Sequence, residues 1–190
     1  MGAREAWAGG IWRDRRDALL VALAVILAIS FVVGAVVGAG QHGNGVIRGT
    51  NKRDHLVGTK HDDVILGLRR GDKIRARPGN DKVDGGGGKD AITGKKGDDV
   101  LSGGSGKDTI KGGSGDDRLF ADAGGALMVG GKGSDEFNMV DGEQVGGEGD
   151  DVIRARDGTL DQINCGPGDD TVIVDEAEDG VYDCEQVVYP

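Results

Sequence analysis

Residues Gly103 to Phe120 read GGSGKDTIKGGSGDDRLF. Nine residues are written, and nearly the same nine follow. Each half has glycine at places one, two and four, aspartate at place six and an aliphatic residue at place eight. A nine-residue frame laid outward from this pair holds register from Gly49 to Asn138, ten consecutive units. Place six is filled by Asp54, Asp63, Asp72, Asp81, Asp90, Asp99, Asp108, Asp117, then Ala126, then Asp135. Place eight is filled by Leu56, Ile65, Ile74, Val83, Ile92, Leu101, Ile110, Leu119, Met128 and Phe137. A short unit, MVDGEQV, follows. GGEGDDVIR then restores the frame with Asp151 and Ile153, ARDGTLDQIN runs one residue long with Asp161 and Ile163, and CGPGDDTVI closes the series with Asp170 and Val172.

One apolar residue in nine cannot bury the face of an isolated strand. It can if short strands stack in parallel and every eighth-place side chain enters one shared interior. Three residues then make a strand and six a turn, and two units complete a flattened coil of 18. The fold class expected is all-β, a parallel β-roll with two units per coil. Glycines at places one, two and four permit positive φ and bring carbonyl oxygens close. An aspartate beside such carbonyls makes an all-oxygen cage, which suits Ca²⁺ better than Mg²⁺.

These units resemble the hemolysin-type calcium-binding repeat, the RTX nonapeptide GGxGxDxUx. The resemblance covers about 49–173. It implies a β-roll with Ca²⁺ between stacked turns and the place-six aspartates as ligands. Two files of sites follow. Even units supply Asp63, Asp81, Asp99, Asp117, Asp135, Asp151 and Asp170; odd units supply Asp54, Asp72, Asp90, Asp108 and Asp161. Turn backbone at Gly85, Gly88, Gly94, Gly97, Gly103, Gly106, Gly112, Gly115, Gly130 and Gly133 would contribute. Lys52, His61 and Arg70 replace the place-four glycine in the first three units and make the first turns poor sites, suited instead to a polar cap. Ala126 interrupts the odd file. The expectation is roughly four to seven ions, firmest between Asp81 and Asp135, with Asp90 and Asp108 as the surviving odd site.

Composition agrees. Glycine at 38 of 190 residues and a net charge of −10 would ordinarily indicate disorder, but the repeat supplies order of another kind. Three prolines exclude collagen, and 4% aromatics exclude a core of packed rings. Fixed glycines and stacked like charges leave the metal-free roll marginal, so calcium binding and folding are expected to be one event, waiting for export to calcium-rich surroundings.

Residues 18–40 form a run of 23 without a charge, after Arg13, Arg15 and Arg16. It is long enough to cross a bilayer, and the basic flank keeps the N-terminus inside. The readings are an uncleaved transmembrane signal-anchor or a signal peptide cut near Val37-Gly38-Ala39. The domain reading is a basic cytoplasmic segment 1–17, the leader 18–40, a linker 41–48, the roll 49–173 and a C-terminal cap 174–190. Cys165 and Cys184 both fall in the exported part, which favours a disulfide tying the tail over the last coil.

Enzymatic signatures are missing. There is no HExxH; Ser105 and Ser114 lack the second glycine of a nucleophile elbow; Gly106-Lys107 is followed by Asp108 where a P-loop needs Ser or Thr. His55 and His61 read as solvated turn residues. The basic cluster Arg69, Arg70, Lys73, Arg75 and Arg77 reads as an outward solvated face, with contact to anionic polymer or lipid heads as the alternative. Nucleic-acid binding is not expected. The reading is a non-enzymatic calcium-binding surface or extracellular module of bacterial type. Its rivals are an accessory to a separately encoded hydrolase and a hemolysin-related fragment.

Overall fold

The structure is a computed structural model, and it describes residues 45–122, 124–139, 142–155, 161–174 and 180–189. The expected basic segment and leader helix lie outside the described residues. Among the described residues no helix is long and apolar enough to cross a membrane.

Among the described residues the strands alternate strictly between two sheets. One sheet contains nine: β1 (Val46–Arg48), β3 (Val64–Leu66), β5 (Lys82–Asp84), β7 (Val100–Ser102), β9 (Arg118–Ala121), β11 (Glu136–Met139), β13 (Val152–Ala155), β15 (Thr171–Val174) and β17 (Gln186–Val188). The other contains eight: β2 (His55–Val57), β4 (Lys73–Pro78), β6 (Ala91–Lys96), β8 (Thr109–Ser114), β10 (Ala126–Lys132), β12 (Gly142–Glu148), β14 (Gln162–Asn164) and β16 (Gly180–Tyr182). Every pairing is parallel and joins a strand to the one two places on, so two units make one coil. The chain is a parallel β-solenoid.

The register explains the place-eight pattern. Ile74, Ile92 and Ile110 are partners across β4, β6 and β8, each at most 1% exposed. Ile65, Val83, Leu101, Leu119 and Phe137 form the facing stack from the other sheet. Each side chain is too small to make a core alone, and stacking makes the core continuous. The short unit keeps this order: Met128 aligns with Gln144, and Gln144 with Ile163. The coil loses two residues there and regains one in the next. Gln144 is fully buried in the apolar stack, and neither its amide nitrogen nor its oxygen has a hydrogen-bond partner.

Two features differ from the three-residue strand and capping tail. Strands β4, β6 and β8 have six residues and β10 and β12 seven, because the ladder continues into places one to three of the next unit. The described residues of the tail form strands rather than a separate cap. They lay down β16 and β17 as further coil, with Val181 packed on the core. The nonapeptide spacing is gone there, but the alternation of apolar residues suffices for two short strands. Cys165 and Cys184 form a disulfide, Cα atoms 5.1 Å apart, which joins the last two turns on one edge.

Candidate metal centre

The turns on the two edges bring the place-six aspartates into two files. On the even edge Oδ1 of each aspartate accepts the backbone N–H of its counterpart one coil earlier. Asp81 accepts from Asp63, Asp99 from Asp81 and Asp117 from Asp99, each at 2.8 Å. Asp135 accepts from Asp117, Asp151 from Asp135 and Asp170 from Asp151 at 2.7–2.8 Å, unbroken across the short and long units. On the odd edge Asp72, Asp90 and Asp108 do the same, Ala126 ends the run, and Asp161 accepts from Gly142 at 2.9 Å. All of these aspartates except Asp54 are at most 3% exposed.

The second oxygen is the unusual one. Oδ2 of Asp72, Asp81, Asp90, Asp99, Asp108, Asp117, Asp135, Asp151 and Asp170 is buried without any hydrogen-bond donor. Each of these atoms is a carboxylate oxygen removed from water, which a fold tolerates only with a proton or a cation. None of these carboxylates is ion-paired among the described residues, whose three salt bridges are Arg118–Glu136, Lys132–Glu148 and Arg154–Glu136. Burial, partly offset by the N–H that each accepts and reinforced by neighbouring carboxylates, raises the pKa. It reaches about 7 for Asp99 and Asp135 and about 6 for Asp81, Asp90, Asp117 and Asp151.

The glycines play two different parts. Places two and four hold the positive φ, as at Gly104 (75°) and Gly88 (144°). Place one does not, contrary to the expectation from sequence. It needs a small residue because the space where a side chain would start is bordered by oxygen. A Cβ on Gly85 would sit 2.7 Å from Asp90 Oδ2 and 2.8 Å from the carbonyl of Gly103 one coil on. Place one therefore leaves open a cradle between an orphaned carboxylate oxygen and a backbone carbonyl. No three His, Cys, Asp or Glu side chains converge among the described residues, so any cation held here draws on the backbone as well. A hard cation with oxygen ligands fits this donor set.

A sequence profile of the RTX calcium-binding nonapeptide repeat (4 copies) matches residues 40–69, 67–101, 93–126, 102–137 and 145–172. The chain belongs to the RTX calcium-binding nonapeptide repeat family. No curated protein matches it, and no solved structure does. RTX repeats bind Ca²⁺, and the buried oxygens described above are suited to that ion.

The first two RTX turns are built differently. Thr50 and Thr59 occupy place two, and each donates both its backbone N–H and its hydroxyl to Oδ2 of its own unit's aspartate, Asp54 or Asp63. Threonine thus supplies to these carboxylates the donors that the later ones lack. The RTX consensus also conceals two further features. Glu185 closes the even file, its Oε2 accepting from Asp170 N–H at 3.0 Å; only its place after Cys184 hinted at this. At place five a second ladder runs the other way: Asp62 accepts from Asn80, Asn80 from Asp98, Asp98 from Asp116 and Asp116 from Ser134, at 2.8–3.0 Å. Its signal was the doubled acid in GDD, of which the repeat explains only one member.

Proposed function

We propose that this chain is an exported calcium-binding module, with no catalytic site of its own, whose roll folds as Ca²⁺ enters between successive coils. The supporting observation is the row of nine buried Oδ2 atoms that have, among the described residues, neither a hydrogen-bond donor nor a basic side chain paired with them. Ligands on the even edge are Asp81, Asp99, Asp117, Asp135, Asp151 and Asp170, and on the odd edge Asp72, Asp90 and Asp108, with place-one carbonyls beside them. Asp54 and Asp63 take threonine donors on Oδ2, although Asp63 Oδ1 is buried without a donor, and they serve as a calcium-free starting coil. Asp161 belongs to the candidate set as the last odd ligand.

Calcium supplies the positive charge that these carboxylates need; the chain's own contribution is to hold the oxygens in line and exclude water. With free Ca²⁺ roughly twentyfold above Kd, each site adds about 1.8 kcal/mol, so a handful of sites matches the stability of a typical domain. The Cys165–Cys184 disulfide fits an oxidising, extracellular setting. Such a body suits a calcium-stiffened spacer or adhesive surface element, held by the run 18–40 or released from it. The test is far-UV circular dichroism of the protein from chelator to about 10 mM CaCl₂, the upper end exceeding an extracellular-type Kd, with MgCl₂ as control. A cooperative rise in β signal with Ca²⁺ alone is expected; a roll fully folded in chelator at neutral pH refutes the coupling.

A further inference from the structure

The cations of this protein are distributed unevenly. Residues 45–111 carry a net charge of +5 in spite of their seven place-six aspartates, whereas residues 112–190 carry −16. The excess gathers on one face. Lys73, Arg75 and Arg77 follow one another at alternate positions along the outer side of β4, all exposed. Lys95 is the register partner of Arg77, and Lys111 lies one strand beyond Thr93, itself the partner of Arg75. From strand spacing and rise, the five span about 10 by 13 Å.

A solvated face would ordinarily alternate its signs. The nine-stranded sheet does so: Glu136 on β11 pairs with Arg118 on β9 and Arg154 on β13. Across β2, β4, β6 and β8 the outward residues are His55, Val57, Ala91, Thr93, Thr109 and the cations themselves, and the first outward carboxylate is Glu143 on β12. None of the five cations has an ion-pair partner among the described residues. Like charges on adjacent strands, Arg77 beside Lys95 above all, cost stability that an external anion returns.

We propose that this face docks on a lipid bilayer bearing anionic headgroups. Its five cations are spread over three adjacent strands of one sheet rather than along a single line, and so match a surface rather than a single strand of polymer. It belongs to the first coils, and the uncharged run 18–40 ends five residues before Gly45, a separation of at most about 18 Å. Basic residues beside a membrane are drawn to anionic lipid over a Debye length. The docking rests on the calcium-loaded roll being folded.

The test uses the full chain, whose native cysteines are paired, with Thr93→Cys as the single labelling site for a fluorophore. It is bound to phosphatidylcholine vesicles, or to an about 3:1 mixture with phosphatidylglycerol, each carrying a headgroup quencher and the same Ca²⁺. The expected result is quenching several-fold stronger on the mixture, lost in high salt and in R75E/R77E/K111E, with a label at Ser102→Cys on the other sheet little affected. Equal quenching on both lipids, or at both positions, overturns the proposal. So does a response to inorganic polyphosphate with none to vesicles. Circular dichroism of the same samples separates loss of docking from loss of the calcium-dependent fold, and R75Q/K111Q, a milder pair, must still weaken quenching if the triple variant fails to fold.

Discussion

Asp99 reaches back a full coil to Asp81: its Oδ1 accepts the Asp81 N–H at 2.8 Å, while its Oδ2 lies buried and meets no donor. One oxygen therefore belongs to the backbone ladder and the other is left for an ion. The same division recurs along both edges.

Acid should imitate calcium. The folded pKa values of about 6 for Asp81, Asp90, Asp117 and Asp151, and about 7 for Asp99 and Asp135, stand above the unfolded value of 3.8. The calcium-free roll thus binds more protons than the unfolded chain. The stability these groups contribute is fully present below 3.8 and is lost as pH rises through 6 to 7. In chelator the β signal and melting temperature should be higher near about pH 5 than at neutral pH, and Ca²⁺ should restore them at neutral pH. A chelated protein equally unfolded at both pH values contradicts this.

Two turns of the even edge, three coils apart, should respond differently to mutation. Asp117→Asn should remove about one bound ion by equilibrium dialysis and about 1.8 kcal/mol of stability at saturating calcium. Thr59→Val, which deletes the hydroxyl that reaches Asp63 Oδ2 at 3.0 Å, should cost about 1 kcal/mol and leave the ion count unchanged.

The stacking of Ile92 on Ile110 and the alignment of Asp81 with Asp99 were legible in the sequence because period nine, doubled, is the coil itself. The Thr59–Asp63 arrangement was not, since a nonapeptide frame records that place two departs from glycine but not what the new side chain reaches. The reason for glycine at place one is not legible either: positive φ and steric room select the same residue, and only the carbonyl of Gly103 over Gly85 separates them. The strands of the tail were missed because Val181 and Val187 carry no repeat around them.

Gln144 is the polar member of the apolar stack, aligned between Met128 and Ile163. Gln144→Met keeps its length and removes two unpaired buried groups. Thermal denaturation in Ca²⁺ should show a gain of about 1–3 kcal/mol; a loss means that an internal water satisfies the amide.

Lys95 stands at φ 117° in a place that glycine holds in the consensus units, as at Gly104 and Gly113. Lys95→Gly should relieve backbone strain and stabilise the calcium-loaded roll by about 1 kcal/mol, after allowing for glycine's freedom in the unfolded chain. Urea denaturation would measure it.

Reduction of Cys165–Cys184, a link of 19 residues, should cost about 3 kcal/mol. Hydrogen exchange should show the cost concentrated in β14 to β17.

The aspartate ladder stays in line whether a coil has 16, 18 or 19 residues. Residue number per coil is therefore elastic, whereas the rise per coil is fixed by strand spacing at about 4.8 Å. Duplicating or deleting one pair of units changes the reach of the molecule by that single step and leaves both ends chemically as they were. Tandem duplication in the gene thus becomes a graduated adjustment of length, a ruler whose divisions are coils.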